Sequence, residues 1–155
     1  MNFDIASLEI GPGRIGLAPR PGRAGPVSDD LDRIAEWGAE RVLTLTAGAE
    51  ADVDAIRDGC HARGLGWDHV PIVDFCTPDR AAAGQWARLE PGLTDLLGRG
   101  GGLLIHCQAG RGRSGMIALR LMIRAGEPPE AALARLRAIR PGAVETDAQY
   151  RWAIG

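Results

Sequence analysis

The sequence predicts a three-layer α/β fold: a central, mostly parallel, twisted sheet of four to five strands flanked by helices. Short apolar segments at 41–46, 66–70 and 103–106 alternate with longer segments of helical pattern, the rhythm of βαβ units. The run Leu103-Leu104-Ile105 is wholly apolar, as expected of a strand buried on both faces. A glycine or a Pro-Gly pair closes most of the helical segments. The 155 residues suit one domain spanning 1–155.

Taken in order, the Gly/Pro-rich stretch 11–26 reads as an edge strand at Ile15–Ala18 followed by an ordered loop. Ser28-Asp29-Asp30 then starts a helix that runs to Trp37 and stops at Gly38, its carboxylates at the positive end of the dipole. Arg41–Thr46 forms a strand, 52–63 a helix closed by Gly64, and Gly66–Val70 a second parallel strand. A loop from Pro71 to Pro78 leads to a helix over 80–97, with a kink or break expected near Pro91. After the strand at 103–106, helices follow at 114–125 and 128–139, with Pro128 and Pro129 in the first turn of the latter.

Hydrophobic residues make up 45% and charged residues 25%, which excludes a disordered chain. No apolar run approaches the ~18 residues of a membrane span, and the first residues lack a basic region before an apolar stretch. A net charge of −2 gives no general attraction to nucleic acid or anionic lipid. All 18 basic residues are arginine, which points to GC-rich, bacterial coding and removes lysine-based chemistry. The three cysteines, Cys60, Cys76 and Cys107, form no CxxC pair and have no zinc-like spacing to His61, His69 or His106. A cytoplasmic monomer without disulfides, metal or organic cofactor is the expectation.

The chemistry lies between a buried strand and a helix, in His106-Cys-Gln-Ala-Gly-Arg-Gly-Arg-Ser-Gly115. Cys107 ends the strand beneath the N-terminus of the next helix and heads a loop, Gln108 to Gly112, whose backbone N–H groups suit a tetrahedral oxyanion. The same field and the fixed cation of Arg113 favour thiolate over thiol at Cys107. The planar fork of Arg113 matches two phosphate oxygens, as a lysine would not. Gly110 and Gly112 permit close backbone approach, and Arg111 adds a cation at the pocket mouth.

This C-x5-R-S pattern, Cys107 to Ser114, resembles the cysteine-based protein phosphatases. Upstream, His69-Val-Pro-Ile-Val-Asp-Phe-Cys-Thr-Pro78 is similar to their general-acid loop, with Asp74 at the acid position and Asp79 as its rival. Downstream, Arg140-Pro-Gly-Ala-Val-Glu-Thr-Asp-Ala-Gln149 resembles the R-P-G-x-x-E-T-x-x-Q segment of small dual-specificity phosphatases. The resemblance implies a protein tyrosine phosphatase-like fold and a metal-free, two-step reaction through phosphocysteine. Cys107 is then the nucleophile, Arg113 the phosphate clamp and Asp74 the acid, later the base. Ser114 steadies the leaving sulfur, His106 buttresses the loop and Gln149 orients the hydrolytic water.

The simpler structural roles stand beside these. Ser114 can serve as a helix N-cap, Asp74 as a turn former and Gln149 as a solvated surface residue. Glu145 and Thr146 hold the last turn to the body. Cys76 reads as a small buried side chain, with an oxidative disulfide to Cys107 as its chemical alternative. Cys60 and His61 do nothing chemical, and Trp37, Trp67, Trp86 and Trp152 pack in or near the core. The long tyrosine-specific domains deepen their pocket with an extra N-terminal loop; this chain has no room for one. The expected substrate is therefore a phosphoprotein, carrying phosphotyrosine and also phosphoserine or phosphothreonine. Arg14, Arg20 and Arg23 are candidates to line the rim and select acidic substrates.

A phosphoinositide or other small phosphomonoester is the alternative substrate, although Gln108 stands where a second loop cation would be expected. A rhodanese-type sulfurtransferase and a phospho-residue binding module are alternatives of other classes. The upstream Asp74 argues against the first, and retention of Cys107, Arg113 and Asp74 together against the second.

Overall fold

The computed structural model describes residues 3–155. Its sheet has five strands in the order β1-β2-β5-β3-β4: β1 (Ala6–Ile10), β2 (Gly13–Ala18), β3 (Arg41–Thr44), β4 (Gly66–His69) and β5 (Gly102–His106). β1 runs antiparallel to β2, and the other pairings are parallel. The expected edge strand at 15–18 therefore lies inside the sheet, because a further strand, β1, covers it. β1 alternates exposed Ser7 and Glu9 with buried Leu8 and Ile10, the signature of an edge with one wet face.

Side chains on the central strands sort by the period of two. Ile15, Leu17, Leu43, Leu103 and Ile105 face one way, into the larger core beneath α3 (Arg80–Gly98), α4 (Gly112–Arg124), α5 (Pro129–Ile139) and α6 (Asp147–Ile154). Ala18, Val42 and Leu104 face the other, against α1 (Val27–Trp37) and α2 (Val53–Ala62). Each fully buried Leu or Ile contributes roughly 1.5–3 kcal/mol of transfer free energy, so the alternation fixes the register of the sheet.

Helix ends follow local chemistry. Asp52 caps α2 and Asp79 caps α3, each carboxylate accepting from the backbone N–H three residues on. α1 begins at Val27 after Pro26, without a side-chain cap, and ends on Gly38 at φ 104°. α3 runs unbroken through Pro91, against the expected break. Pro91 lies on the exposed side, and the Thr94 hydroxyl donates to the Glu90 carbonyl at 2.9 Å, adding a bond beside the missing N–H.

Four strands, β2 to β5, point the same way, so the segments after them gather at one edge of the sheet. Those segments carry Arg20 and Arg23, Glu50, Asp74 and Cys107 respectively. The C-terminal edge of a parallel sheet is where open α/β folds bind ligands.

Candidate active site

Cys107 follows β5 directly and is buried. α4 starts at Gly112, two residues earlier than the sequence suggests, which places its free N–H groups close to the loop. Ser114 consequently lies within the first turn and is not an N-cap. Its hydroxyl is buried and has no hydrogen-bond partner among the described residues.

The loop between them is held open from outside. The Gln108 carbonyl accepts from the Arg20 backbone N–H at 3.2 Å and from Arg23 Nη1 at 3.1 Å. Arg140 donates through Nε to the Gly110 carbonyl at 3.0 Å and through Nη2 to the Ala109 carbonyl. Peptide units are planar, so three outward carbonyls turn the N–H groups of Ala109, Gly110 and Arg111 the opposite way, into the concavity. Gly110 sits at φ +74°, and a Cβ there would lie 2.5 Å from the Ala18 carbonyl oxygen. At Gly112 a Cβ would collide with the Glu145 carboxylate. Both glycines are required by contact with neighbours.

Arg113 is the largest fully buried side chain, and its partners account for its orientation. Nη1 donates to Glu50 Oε2 and to the Ile72 carbonyl, each at 2.8 Å, while Nη2 donates to Glu50 Oε1 at 2.8 Å. Of the five N–H donors, the Nε proton and one Nη2 proton remain. They form a lateral fork: Nε is buried and unpartnered, and Asp74 Oδ1 lies 3.4 Å from Nη2. A tetrahedral dianion has the shape and charge to fill that fork. Burial works against the Arg113 charge, but the hydrogen bond to Glu50 and the charges of Cys107, Glu50 and Asp74 more than offset it. The same hydrogen bond from Arg113 holds the Glu50 carboxyl below the usual range. Sequence reasoning missed Glu50, which lies among small residues 63 positions from its partner.

His106 lies behind the loop, fully buried. Trp67 Nε1 donates to Thr44 Oγ1 at 2.9 Å, and Thr44 Oγ1 is 2.7 Å from His106 Nε2. A threonine hydroxyl that accepts from Trp67 donates its own proton to Nε2, which leaves the imidazole proton on Nδ1, facing the Cys107 carbonyl at 3.4 Å. Burial, aided by the charges of His69, Arg113 and Arg20, pushes the His106 pKa down to about 4, so the ring is neutral. Its unfolded value is near 6.5. The unfolded chain therefore takes up a proton that the fold excludes, and stability falls as pH drops from about 6.5 to 4, by about 3 kcal/mol. Denaturant unfolding of wild type and His106→Asn at pH 7 and pH 4.5 checks this: the variant should lose less stability between the two. Equal slopes would remove His106 from the account.

Asp74 and Asp79 separate by position. Asp79 is committed to capping α3, whereas Asp74 lies beside Arg113 with its side chain about half exposed. Asp74 Oδ1 also accepts from the Phe75 N–H at 3.0 Å, and Phe75 adopts φ 62°. Gln149 is fully buried and not solvated. Its Oε1 accepts from Glu145 and Thr146 N–H, completing the capping box of α6, and its Nε2 donates to the Cys76 carbonyl at 3.3 Å. Gln149 thus ties α6 to the loop that carries Asp74. Cys76 itself is exposed, not a buried side chain, and all three cysteines are free thiols. Arg14 leaves the rim altogether: it stacks on Trp37 and donates to the Trp37 carbonyl.

Residues 16–127 match a family model described as "Polymorphic toxin system, DSP-PTPase phosphatase". The chain is 30% identical over 132 residues to cyclin-dependent kinase inhibitor 3 of Homo sapiens, covering 81% of this chain and 61% of that protein. It is likewise 30% identical to the Mus musculus protein over 131 residues, with the same coverage. The chain therefore spans about 61% of the length of the curated relatives it matches. Kinase associated phosphatase, solved with its catalytic-site cysteine replaced by serine, superposes with a TM-score of 0.83 at 26% identity, over 99% of this chain and 93% of that one. Tk-PTP in its active form gives 0.75 at 29% identity, over 96% and 95%.

Proposed function

The chain belongs to the dual-specificity and tyrosine phosphatase (DSP-PTPase) family, and on that premise we propose that it hydrolyses phosphoprotein monoesters through a cysteinyl-phosphate intermediate. The observation that carries this reading is the lateral fork of Arg113, with Nε unpartnered and Asp74 alone beside Nη2, in the loop that Cys107 heads at the N-terminus of α4. The Cys107 thiolate attacks phosphorus, forming the S–P bond as the P–O bond to the side chain breaks. Arg113 and the amides of Ala109, Gly110 and Arg111 hold the equatorial oxygens, with Gln108 and Gly112 completing the cradle. Asp74 gives its proton to the leaving oxygen, then takes one from the water that attacks the phosphocysteine and releases inorganic phosphate. The unpartnered Ser114 hydroxyl donates to the departing sulfur.

Phosphotyrosine is the first substrate, with phosphoserine and phosphothreonine also admitted by a pocket without an added rim. A kinase inhibitor and a kinase-associated phosphatase among the relatives support a protein substrate. The protein acts as a monomeric cytoplasmic catalytic domain over 1–155, a location consistent with three free thiols and with no helix among the described residues long and apolar enough to cross a membrane. Gln149 supports the acid loop through Cys76 with one Nε2 proton, and the second Nε2 proton is the one that would orient water.

The test is phosphate release from phosphotyrosine, phosphoserine and phosphothreonine peptides, a phosphoinositide and an aryl phosphate, by wild type and Asp74→Asn. Wild type should turn over the phosphotyrosine peptide best. The variant should lose about 10²- to 10³-fold in kcat on peptides and much less on the aryl phosphate, whose leaving group needs little protonation. A lipid turned over ahead of every peptide would replace the substrate class. No release from any substrate would overturn the reading in favour of a binding module.

A further inference from the structure

Asp74 stands half-exposed on a loop that is tied down around it. On one side Arg113 Nη1 holds the Ile72 carbonyl at 2.8 Å. On the other, Gln149 Nε2 holds the Cys76 carbonyl at 3.3 Å, and Asp79 ends the loop by capping α3. These last two ties belong to α6 and α3, so the place of Asp74 depends on where both helices sit. α6 has eight residues, too few to be stable alone, and takes its position from packing. A network centred on Arg120 of α4 joins the three helices. Arg120 Nε donates to Glu90 Oε2 on α3 at 2.9 Å, and Nη1 donates to the Trp152 carbonyl on α6 at 3.0 Å. The guanidinium also stacks on the Trp152 ring, which meets Trp86 of α3 edge-on. Trp86 Nε1 donates to the same Glu90 oxygen at 2.7 Å, and Arg124 Nε lies 3.3 Å from the other.

We propose that Arg120 is a positioning residue for Asp74, acting through α6 and α3; this rests on the phosphatase reading above. Arg113 and Arg120 stand seven residues apart on α4, about two helical turns, and so share one face. The first arginine holds the near side of the acid loop directly, and the second holds the far side through Trp152 and Glu90. The Arg120 and Glu90 side chains are only 16% and 17% exposed. A pair so buried adds little net stability over an apolar contact, whereas its directed bonds fix the helices in one arrangement. A rotation of α6 carries Gln149 and the Cys76 carbonyl with it, and Asp74 lies two residues from Cys76. Proton transfer to the leaving oxygen needs an approach of about 3 Å, so it registers such a shift first. The cradle is held by other contacts, from Arg20, Arg23 and Arg140.

The experiment measures kcat and KM of Arg120→Met, which keeps an apolar stem over Trp152 and loses both donors. Turnover of a phosphotyrosine peptide, whose phenol leaves with a pKa of about 10, should fall about tenfold in kcat with KM little changed. Turnover of p-nitrophenyl phosphate, whose leaving group needs little protonation, should stay within about twofold of wild type. Arg120→Lys can meet Glu90 or the Trp152 carbonyl, not both in that geometry, and should lie between. In an Asp74→Asn background the Arg120→Met change should cost nothing further, because the group it acts through is gone. Glu90→Gln, which keeps the shape and removes the charge, serves if Arg120→Met does not fold. Amide hydrogen exchange gives a readout that needs no turnover: exchange at 73–78 and in α6 should rise in the variant while β5 stays protected. Equal losses on the two substrates, or an undiminished loss in the Asp74→Asn background, overturn the proposal. So does exchange that is unchanged at 73–78, or that rises equally in β5. A wild type that turns over neither substrate overturns the phosphatase reading, and the exchange pattern still decides whether Arg120 holds the loop.

Discussion

Cys107→Ser is expected to abolish phosphate release, by about 10⁴-fold or more, while leaving phosphopeptide binding within a few fold of wild type. The oxygen replaces sulfur at a buried strand end with little change in volume, so β5 and the loop should persist. What would disappear is the proposed nucleophile, since a serine hydroxyl attacks phosphorus far less readily than sulfur does. The cradle does not need the sulfur, because its carbonyls are held by Arg20, Arg23 and Arg140. Cys60 lies in the smaller core between α1 and α2, and burial pushes its pKa up to about 11. Rapid-quench trapping of labelled phosphoenzyme, with isothermal titration of a phosphotyrosine peptide, checks both halves. Labelled wild type and unlabelled variant are expected. Residual turnover above about 1% in the variant would mean that water attacks phosphorus directly.

How much of this was legible in the sequence depends on whether a feature is local. The loop from Cys107 to Arg113 is contiguous, follows an apolar strand and precedes a helix, so its spacing carries its geometry. Glu50 has no such signature. It becomes the partner of Arg113 only because β3 pairs in parallel with β5, bringing the ends of two distant strands side by side. β1 was missed for a different reason: Ser7 and Glu9 alternate with Leu8 and Ile10 as an edge strand should, but the signal is only five residues long and lies outside the βαβ rhythm, and pairing with β2 makes it plain. Asp74 and Asp79 look alike in sequence, and only the folded chain shows that Asp79 caps α3 while Asp74 lies beside Arg113. The arginines could not be sorted by sequence at all. Arg14 and Arg20 stand six residues apart, yet they reach opposite ends of β2, one stacked on Trp37 and the other beside Gln108.

Arg113→Lys is expected to lower kcat/KM by about 10³-fold although the charge is kept. The reason is the donor count. Three of the five guanidinium protons anchor the group to Glu50 and the Ile72 carbonyl, and two are left in a fixed plane for a dianion, the Nη2 one beside Asp74. An ammonium has three protons on one atom. It can meet Glu50 or the phosphate, and not both with that geometry. If lysine turns to Glu50, the transition state loses its clamp; if it turns to phosphate, the partly buried Glu50 carboxylate is left uncompensated close to a dianion. Glu50→Gln separates anchoring from clamping. The amide oxygen can still accept from one arginine nitrogen, so Arg113 keeps its charge and fork while its position loosens. The expected loss is about 10- to 100-fold, expressed in kcat more than in the affinity for inorganic phosphate. The two variants, measured for kcat/KM and for vanadate inhibition, give different signatures: Arg113→Lys should lose both, and Glu50→Gln mainly turnover. Equal losses in the two would mean that the Glu50 charge, rather than the arginine fork, dominates binding of the transition state.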